Sequence, residues 1–273
     1  MGIVNVTPDS FSDGGRHADT AGAVAHARRL AAEGADIIDV GGESTRPGAD
    51  EVTVAQEIDR VVPVLHGLVA LRSADGRRPV ALSVDTRRPE VMRAALAAGA
   101  DMINDVAGFR DPAALDAVRD ARCGLCVMHM KGEPRTMQQA PSYVDVVHEV
   151  AAFLGERAAA LRAAGVAAER IALDPGYGFG KTLEHNAELS RRQPELLALG
   201  YPLVVGWSRK STIGRITGRD VGERLAGSVA AAIAAVAGGA SVVRVHDVAA
   251  TRDALAVWET LAPAGGTVST QGA

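Results

Sequence analysis

The residues able to do chemistry in this chain recur at one kind of place, the end of a short apolar run. In order they are Asn5; Asp39, followed by GGESTRPGA; Asp85; Asn104 with Asp105; His129; Asp174; Ser208-Arg209-Lys210; and Arg244 with His246. Two kinds of chemistry are represented. Asp85, Asn104, Asp174 and Lys210 are hydrogen-bonding groups of the sort that read a flat heterocycle. A carboxylate takes two parallel N–H bonds from an amino-pyrimidinone edge, and Lys and Asn satisfy ring carbonyl and nitrogen atoms. Arg46, Arg244 and His246 are cationic or able to become so, and suit an anion such as a phosphate. Arg244-Val245-His246 puts both side chains on one face of a strand. No G-x-S-x-G elbow or isolated reactive Cys supplies a nucleophile. The pattern is that of a site binding a ring and an anion without covalent catalysis.

The elements that must position these groups follow from periodicity. The runs MGIVNV, ADIIDV, VALSVD, DMINDV, GLCVMH, RIALDP, PLVVGWS and SVVRVHD read as strands. Candidate helices lie at about 20–33, 52–70, 89–98, 112–121, 143–164, 183–199, 223–238 and 249–261. Gly34, Gly99, Gly165, Gly200 and Gly239 stand where helix C-caps belong. Continuous apolar strands, each followed by a helix, form a parallel sheet covered by helices. Eight such units give a (β/α)8 TIM barrel of class α/β as a single domain over residues 1–262. A doubly wound open sheet is the alternative, but it carries a glycine fingerprint after its first strand, and NVTPDSFSDGG is not one. In a barrel the polar strand ends converge on one mouth, where active sites lie, and strand eight often holds phosphate. Taken singly, Asp39 serves as well to cap a turn and His129 as a satisfied core histidine. Eight polar ends in succession resist that reading, since Val, Ile and Leu otherwise fill the barrel. The tail 263–273, PAGGTVSTQGA, is small, polar and aperiodic, and is expected to be disordered.

Bulk properties exclude other classes. A net charge of −4 and 3% aromatics do not make a nucleic-acid surface. No apolar run reaches the ~18 residues of a membrane span, and no basic n-region precedes the first apolar run; the chain reads as cytoplasmic. Cys123 and Cys126 form a CxxC at the start of an apolar strand, with no second half of a zinc site and no helix N-terminus to lower a thiol pKa, so they read as structural. PGYGFGKT approaches a phosphate-binding P-loop, but Pro175 stands where its first Gly is required. Of 29 basic residues only Lys131, Lys181 and Lys210 are Lys, leaving 29 − 3 = 26 Arg. Where Arg is so favoured, these three mark places where a compact ammonium is needed.

NVTPDSFSDGG, GGESTRPGA, SVDT, INDVAG, MHMKGEPRTMQ, DPGYGFGKTLEHN, GWSRKSTIG and RVHDV together resemble the dihydropteroate synthase family of the folate pathway, in order, from Gly2 to about Asp247. The resemblance implies a (β/α)8 barrel that joins 6-hydroxymethyl-7,8-dihydropterin diphosphate to p-aminobenzoate, giving 7,8-dihydropteroate and diphosphate. It places the pterin on Asp85, Asn104, Asp174 and Lys210, the diphosphate on Arg244 and His246, and Mg²⁺ near Asn5. Thr45, Arg46 and Pro47 fall in a second mobile loop, Phe179 and Ser211 where p-aminobenzoate is received, and Lys181 in the Phe179 loop without an assigned role. NVTPDSFSDGG would fold over the mouth once diphosphate is bound, with Phe11 as an apolar contact. A homodimer through the last helices, about 223–261, is also implied. In the family a short segment usually precedes the first strand; here Met1 falls inside it, so either the native chain starts upstream or the barrel bottom is uncovered. A pterin-binding module of a corrinoid methyltransferase is the rival reading. It would keep Asp85, Asn104 and Asp174 but would not need Arg244, His246 or the SFSDGG loop.

Overall fold

The computed structural model describes residues 1–6, 16–44, 51–69, 80–133 and 136–262. Strand and helix alternate along it: β1 (Gly2–Asn5), α1 (Arg16–Ala32), β2 (Ile37–Gly41), α2 (Val54–Val69), β3 (Ala81–Asp85), α3 (Pro89–Ala97), β4 (Met102–Asp105), α4 (Pro112–Val118), β5 (Gly124–Met128), α5 (Val146–Ala163), β6 (Ile171–Asp174), α6 (Leu183–Arg191), β7 (Val204–Val205), α7 (Ser211–Thr217), α8 (Leu225–Ala237), β8 (Val242–Val243) and α9 (Val248–Leu261).

Strands β1 to β6 pair in sequence order, every pair parallel. The remaining seams close through shorter pairings. Leu173 N–H donates to Pro202 O at 2.9 Å, linking β6 to β7, and β7 pairs with β8. Ile3 N–H donates to Val245 O at 3.0 Å and Val245 N–H to Met1 O at 2.9 Å, returning β8 to β1. The circuit is the expected eight-stranded barrel. The first strand is thus paired on both sides, whatever precedes it. Buried Val, Ile and Leu from strands and helices pack into one continuous core around it, the main stabilising term for such a fold.

Four differences from the sequence reading stand out. Expected helix 183–199 ends at Arg191 and continues as a 3₁₀ segment, Gln193–Leu199, because Pro194 has no N–H to donate. Helix 143–164 begins at Val146 because Asp145 caps it, accepting from Val147 N–H at 2.9 Å and His148 N–H at 3.0 Å. Helix α7 was not expected: STIGRIT is short, and its β-branched residues and Gly are weak helix formers. The ladder of β7 and β8 is two residues long, not seven, and is extended by Arg244 N–H donating to Val205 O at 2.9 Å. Residues 263–273 lie outside the described residues.

The loop after β6 lies flat on the chain after β5. Gly176 has φ +67, and a Cβ there would sit 1.8 Å from His129 O; Gly180 has φ +61, with Lys131 O 2.2 Å from the same position. Gly176→Ala is therefore expected to destabilise the protein by roughly 3 kcal/mol or more, adding left-handed strain to a steric clash. Denaturant unfolding checks this, and a midpoint equal to wild type would contradict the packing.

Candidate active site

Register brings the predicted residues to one level. Asn5 is opposite Gly41, Gly41 opposite Asp85, and Asp85 opposite Asn104. Met128, next to His129, is opposite Asp174. With no side chain at Gly41, space opens between Asn5 and Asp85; a Cβ there would lie 3.6 Å from Asp85 Cβ and 3.8 Å from Asn5 Oδ1.

At the centre of this mouth is Arg244. Its Nε donates to Asp39 Oδ2 at 2.6 Å and its Nη2 to Asp85 Oδ2 at 2.8 Å. Asn104 Nδ2 also donates to Asp39 Oδ2, at 3.3 Å. Asp39 is fully buried, so it is an orienting partner of Arg244 and Asn104 and not a turn cap. The division into a ring group and an anion group needs correction here, because Arg244 joins them: its guanidinium is paired with Asp85 of the ring group. Among the described residues, Asp39 Oδ1, Asn104 Oδ1 and Ser83 Oγ are buried with no hydrogen-bond partner. Buried acceptors left open at a mouth call for a ligand bearing N–H donors.

Asp174 is buried at the end of β6, and its Oδ1 accepts from Gly176 N–H at 2.7 Å. One of its oxygens is thus partly committed to the loop, leaving Oδ2 as the less encumbered acceptor. Lys210 Nζ donates to Tyr177 O and lies 4.5 Å over the Phe179 ring. Phe179 packs on Val106, Met128, Met130 and Met137, an apolar floor suited to a flat ring. Ser211 opens α7 immediately after Lys210 and is exposed. His246 is oriented by Ser208, with Nδ1 to Oγ at 2.9 Å and its backbone N–H donating to the same oxygen at 3.2 Å.

Several predicted residues do not join the mouth. His129 takes its core role: it is buried, paired with Lys181 at 2.9 Å, and packed edge-on to Phe153. Asp105 accepts from Ala107 and Phe109 N–H, both at 2.7 Å, and holds a turn. Arg209 turns outward to Asp247, 2.5 Å away. Lys131 pairs with Glu149 at 3.0 Å on the surface, so composition misled for one lysine of three. Cys123 and Cys126 are free, buried thiols whose pKa burial pushes up. Phe11, Thr45, Arg46 and Pro47 lie outside the described residues. The stem of the second loop is described and was missed: Arg88 Nη2 donates to Glu43 Oε1 at 2.8 Å and its Nε lies 3.5 Å from Oε2 of buried Glu57, while Arg60 Nη1 donates to Gly42 O at 2.8 Å. The Arg-Arg pair after SVDT was the available signal.

Two titrations follow from this geometry. Burial holds the Asp85 carboxyl up, at about 7, with Arg244 opposing and Asp39 adding to the rise. Burial pulls Lys210 down to about 8, with Asp174 opposing. Below 7 Asp85 gains a proton and its bond to Arg244 weakens; above 8 Lys210 loses its charge. The expected kcat/KM is a narrow bell with limbs near 7 and near 8. A pH–rate profile checks this, and an acid limb that persists in Asp85→Asn would contradict the assignment.

A barrel with such a mouth belongs to the class of enzymes that bind a nitrogen heterocycle beside an anion. The family model of pterin binding enzymes matches residues 1–246, and the chain belongs to that family. Within it, a dihydropteroate synthase of Neisseria meningitidis serogroup C is 56% identical over 266 residues, covering 96% of this chain and 92% of the relative. The solved dihydropteroate synthase of Xanthomonas albilineans with 4-aminobenzoic acid is 55% identical, with a TM-score of 0.88 over 95% of this chain and 91% of that one. That of Burkholderia cenocepacia, complexed with 7,8-dihydropteroate, is 51% identical, with a TM-score of 0.84 over 95% and 90%.

Proposed function

We propose that this chain is a dihydropteroate synthase, a transferase of folate biosynthesis that joins 6-hydroxymethyl-7,8-dihydropterin diphosphate to p-aminobenzoate. The observation that carries the reading is the set of open buried acceptors on Asp39 and Asn104 beside Asp174, next to the Arg244 guanidinium and the His246 ring. Pterin N–H groups supply the donors the acceptors need, and Arg244 and His246 suit diphosphate. The presence of both Arg244 and His246 favours a synthase over a methyltransferase's pterin module.

The chemistry follows from the residue types. The exocyclic C–O bond breaks and its electron pair leaves with diphosphate. The electron-rich dihydropterin carries the resulting positive charge, and the neutral aryl amine adds its lone pair to the carbon. The proton then lost passes to released diphosphate or solvent. No strong base is needed, in keeping with the absence of a nucleophile–base pair from the sequence motifs. Asp85 and Asp174 hold the ring, Lys210 its carbonyl side, and Arg244 and His246 the leaving group. Asn5 fits a role as Mg²⁺ ligand: its amide oxygen stands at the rim beside the space left by Gly41, and Mg²⁺ commonly takes one or two protein oxygens with substrate phosphates. When bound, Mg²⁺ would supply charge neutralisation to the leaving diphosphate. Phe179 and Ser211, with Thr45 and Arg46 from the second loop, would receive p-aminobenzoate.

The reading carries a homodimer, supported by exposed Ile216, Val221, Leu225, Val257 and Leu261 on and beside α7 to α9. It also carries a cytoplasmic location, supported by two unpaired thiols. No helix among the described residues is long and apolar enough to cross a membrane. The test is ligand order. Calorimetry should show p-aminobenzoate binding only with Mg²⁺, diphosphate and a pterin present, as an ordered scheme with the pterin diphosphate first requires. Tight binding of p-aminobenzoate alone would contradict the scheme.

A further inference from the structure

Lys181 is 2% exposed and has no part in the chemistry above. Its Nζ has three partners: His129 Nδ1 at 2.9 Å, Gly176 O at 2.9 Å and Phe179 O at 3.1 Å. Nζ donates to both carbonyls and shares a hydrogen bond with the His129 ring nitrogen, so all three contacts fall on one buried atom. No carboxylate forms a hydrogen bond to it among the described residues. Gly176 and Phe179 are the two ends of one turn, closed by Phe179 N–H donating to Gly176 O at 3.0 Å. Both carbonyls therefore converge on Nζ, and His129 ties it to the end of β5.

The other bonds to this loop come from elsewhere. Gln138 Nε2 donates to Gly178 O at 2.6 Å, Gly178 N–H donates to Asn186 Oδ1 at 2.8 Å, and Tyr143 O–H donates to Gly180 O at 2.8 Å. Of these side chains, only Lys181 engages both ends of the turn. Between those ends sits Tyr177, whose carbonyl accepts from Lys210, and the ring of the end residue Phe179 faces Lys210.

We infer that Lys181 is a positioning residue: its buried Nζ, bonded to both ends of the 176–179 turn, sets the place of the Phe179 ring and of the Tyr177 carbonyl that anchors Lys210. It shapes the aryl-amine side of the mouth without touching substrate. Methionine at 181 would fill similar space and make none of the three bonds. On the pterin side Asp174 and Asn104 stand at the ends of β6 and β4, and only Lys210 and the Gly176 N–H bond to Asp174 lean on this turn, so that side is expected to respond less than the aryl-amine side.

This inference rests on the synthase reading, and the experiment separates the two. In Lys181→Met, KM for p-aminobenzoate should rise about tenfold, kcat should fall less than threefold, and pterin affinity should change less than threefold. A purely structural role would lower the melting temperature and the amount of active enzyme and leave that KM unmoved. His129→Leu removes one partner and keeps the lysine; it should raise the same KM about threefold. Trp207 stacks on Tyr177 at 4.3 Å, so its fluorescence reports the loop without any assay of activity. An unchanged KM in folded Lys181→Met, or an equal loss of pterin and p-aminobenzoate affinity, would overturn the inference. If Lys181→Met does not fold, His129→Leu decides; failure of both to fold would also overturn it, by making them folding-core residues. A wild-type chain without synthase activity would sink the functional reading alone. The turn would then stand or fall on whether Trp207 emission shifts in the variants.

Discussion

Asp174→Asn is expected to weaken pterin binding by on the order of 2–5 kcal/mol, about 30-fold to several-thousand-fold, while the barrel stays folded. The asparagine oxygen can still accept from Gly176 N–H, now at 2.7 Å from Oδ1, so the loop keeps its contact. The other oxygen becomes an NH₂ that faces the pterin's own N–H donors. An acceptor is replaced by a second donor in a buried place, and Lys210, Arg244 and Lys181 lose their opposing charge. Calorimetry with a phosphate-free pterin measures the change, and far-UV circular dichroism checks the fold. Unchanged affinity would remove Asp174 from the pocket.

The second large effect is expected at Arg244. Its side chain is 18% exposed and lies between Asp39, 0% exposed, and Asp85, 17% exposed. Arg244→Ala leaves two carboxylates close together with their shared cation gone. Breaking a buried ion pair from one side costs about 3–5 kcal/mol, and here both carboxylates face the ligand. The expected result is loss of affinity for the diphosphate substrate and for a pterin without phosphate. His246→Ala, by contrast, should weaken the diphosphate substrate more than a phosphate-free pterin, because Ser208 orients the His246 ring while Arg244 is the cation paired with Asp85 of the ring group. Measuring both ligands against both variants separates the roles. An Arg244→Ala protein that binds phosphate-free pterin normally would restore the simple separation of ring and anion groups.

That correction shows what the sequence could carry. Polar residues at the ends of apolar runs are visible because strand periodicity is local, and the barrel then brings such ends together by topology alone. Asn5, Asp85, Asn104 and Asp174 were legible for that reason. The pairing of Arg244 with Asp39 and Asp85 was not, since these residues are 205 and 159 positions apart, and no local pattern records which cation meets which carboxylate. Asp39 stayed ambiguous for the same reason. Helix α7 was hidden because packing overrides the poor propensity of STIGRIT. Lys131 and Lys181 were marked by composition, which cannot distinguish a surface ion pair from a buried Nζ with three partners.

The most direct test of the account is release of diphosphate from 6-hydroxymethyl-7,8-dihydropterin diphosphate by the purified chain with Mg²⁺, followed with and without p-aminobenzoate. The account predicts release that depends on the aryl amine and matches 7,8-dihydropteroate one for one. Pterin bound without any diphosphate released, whether or not p-aminobenzoate is added, would contradict it and leave the chain a binding module.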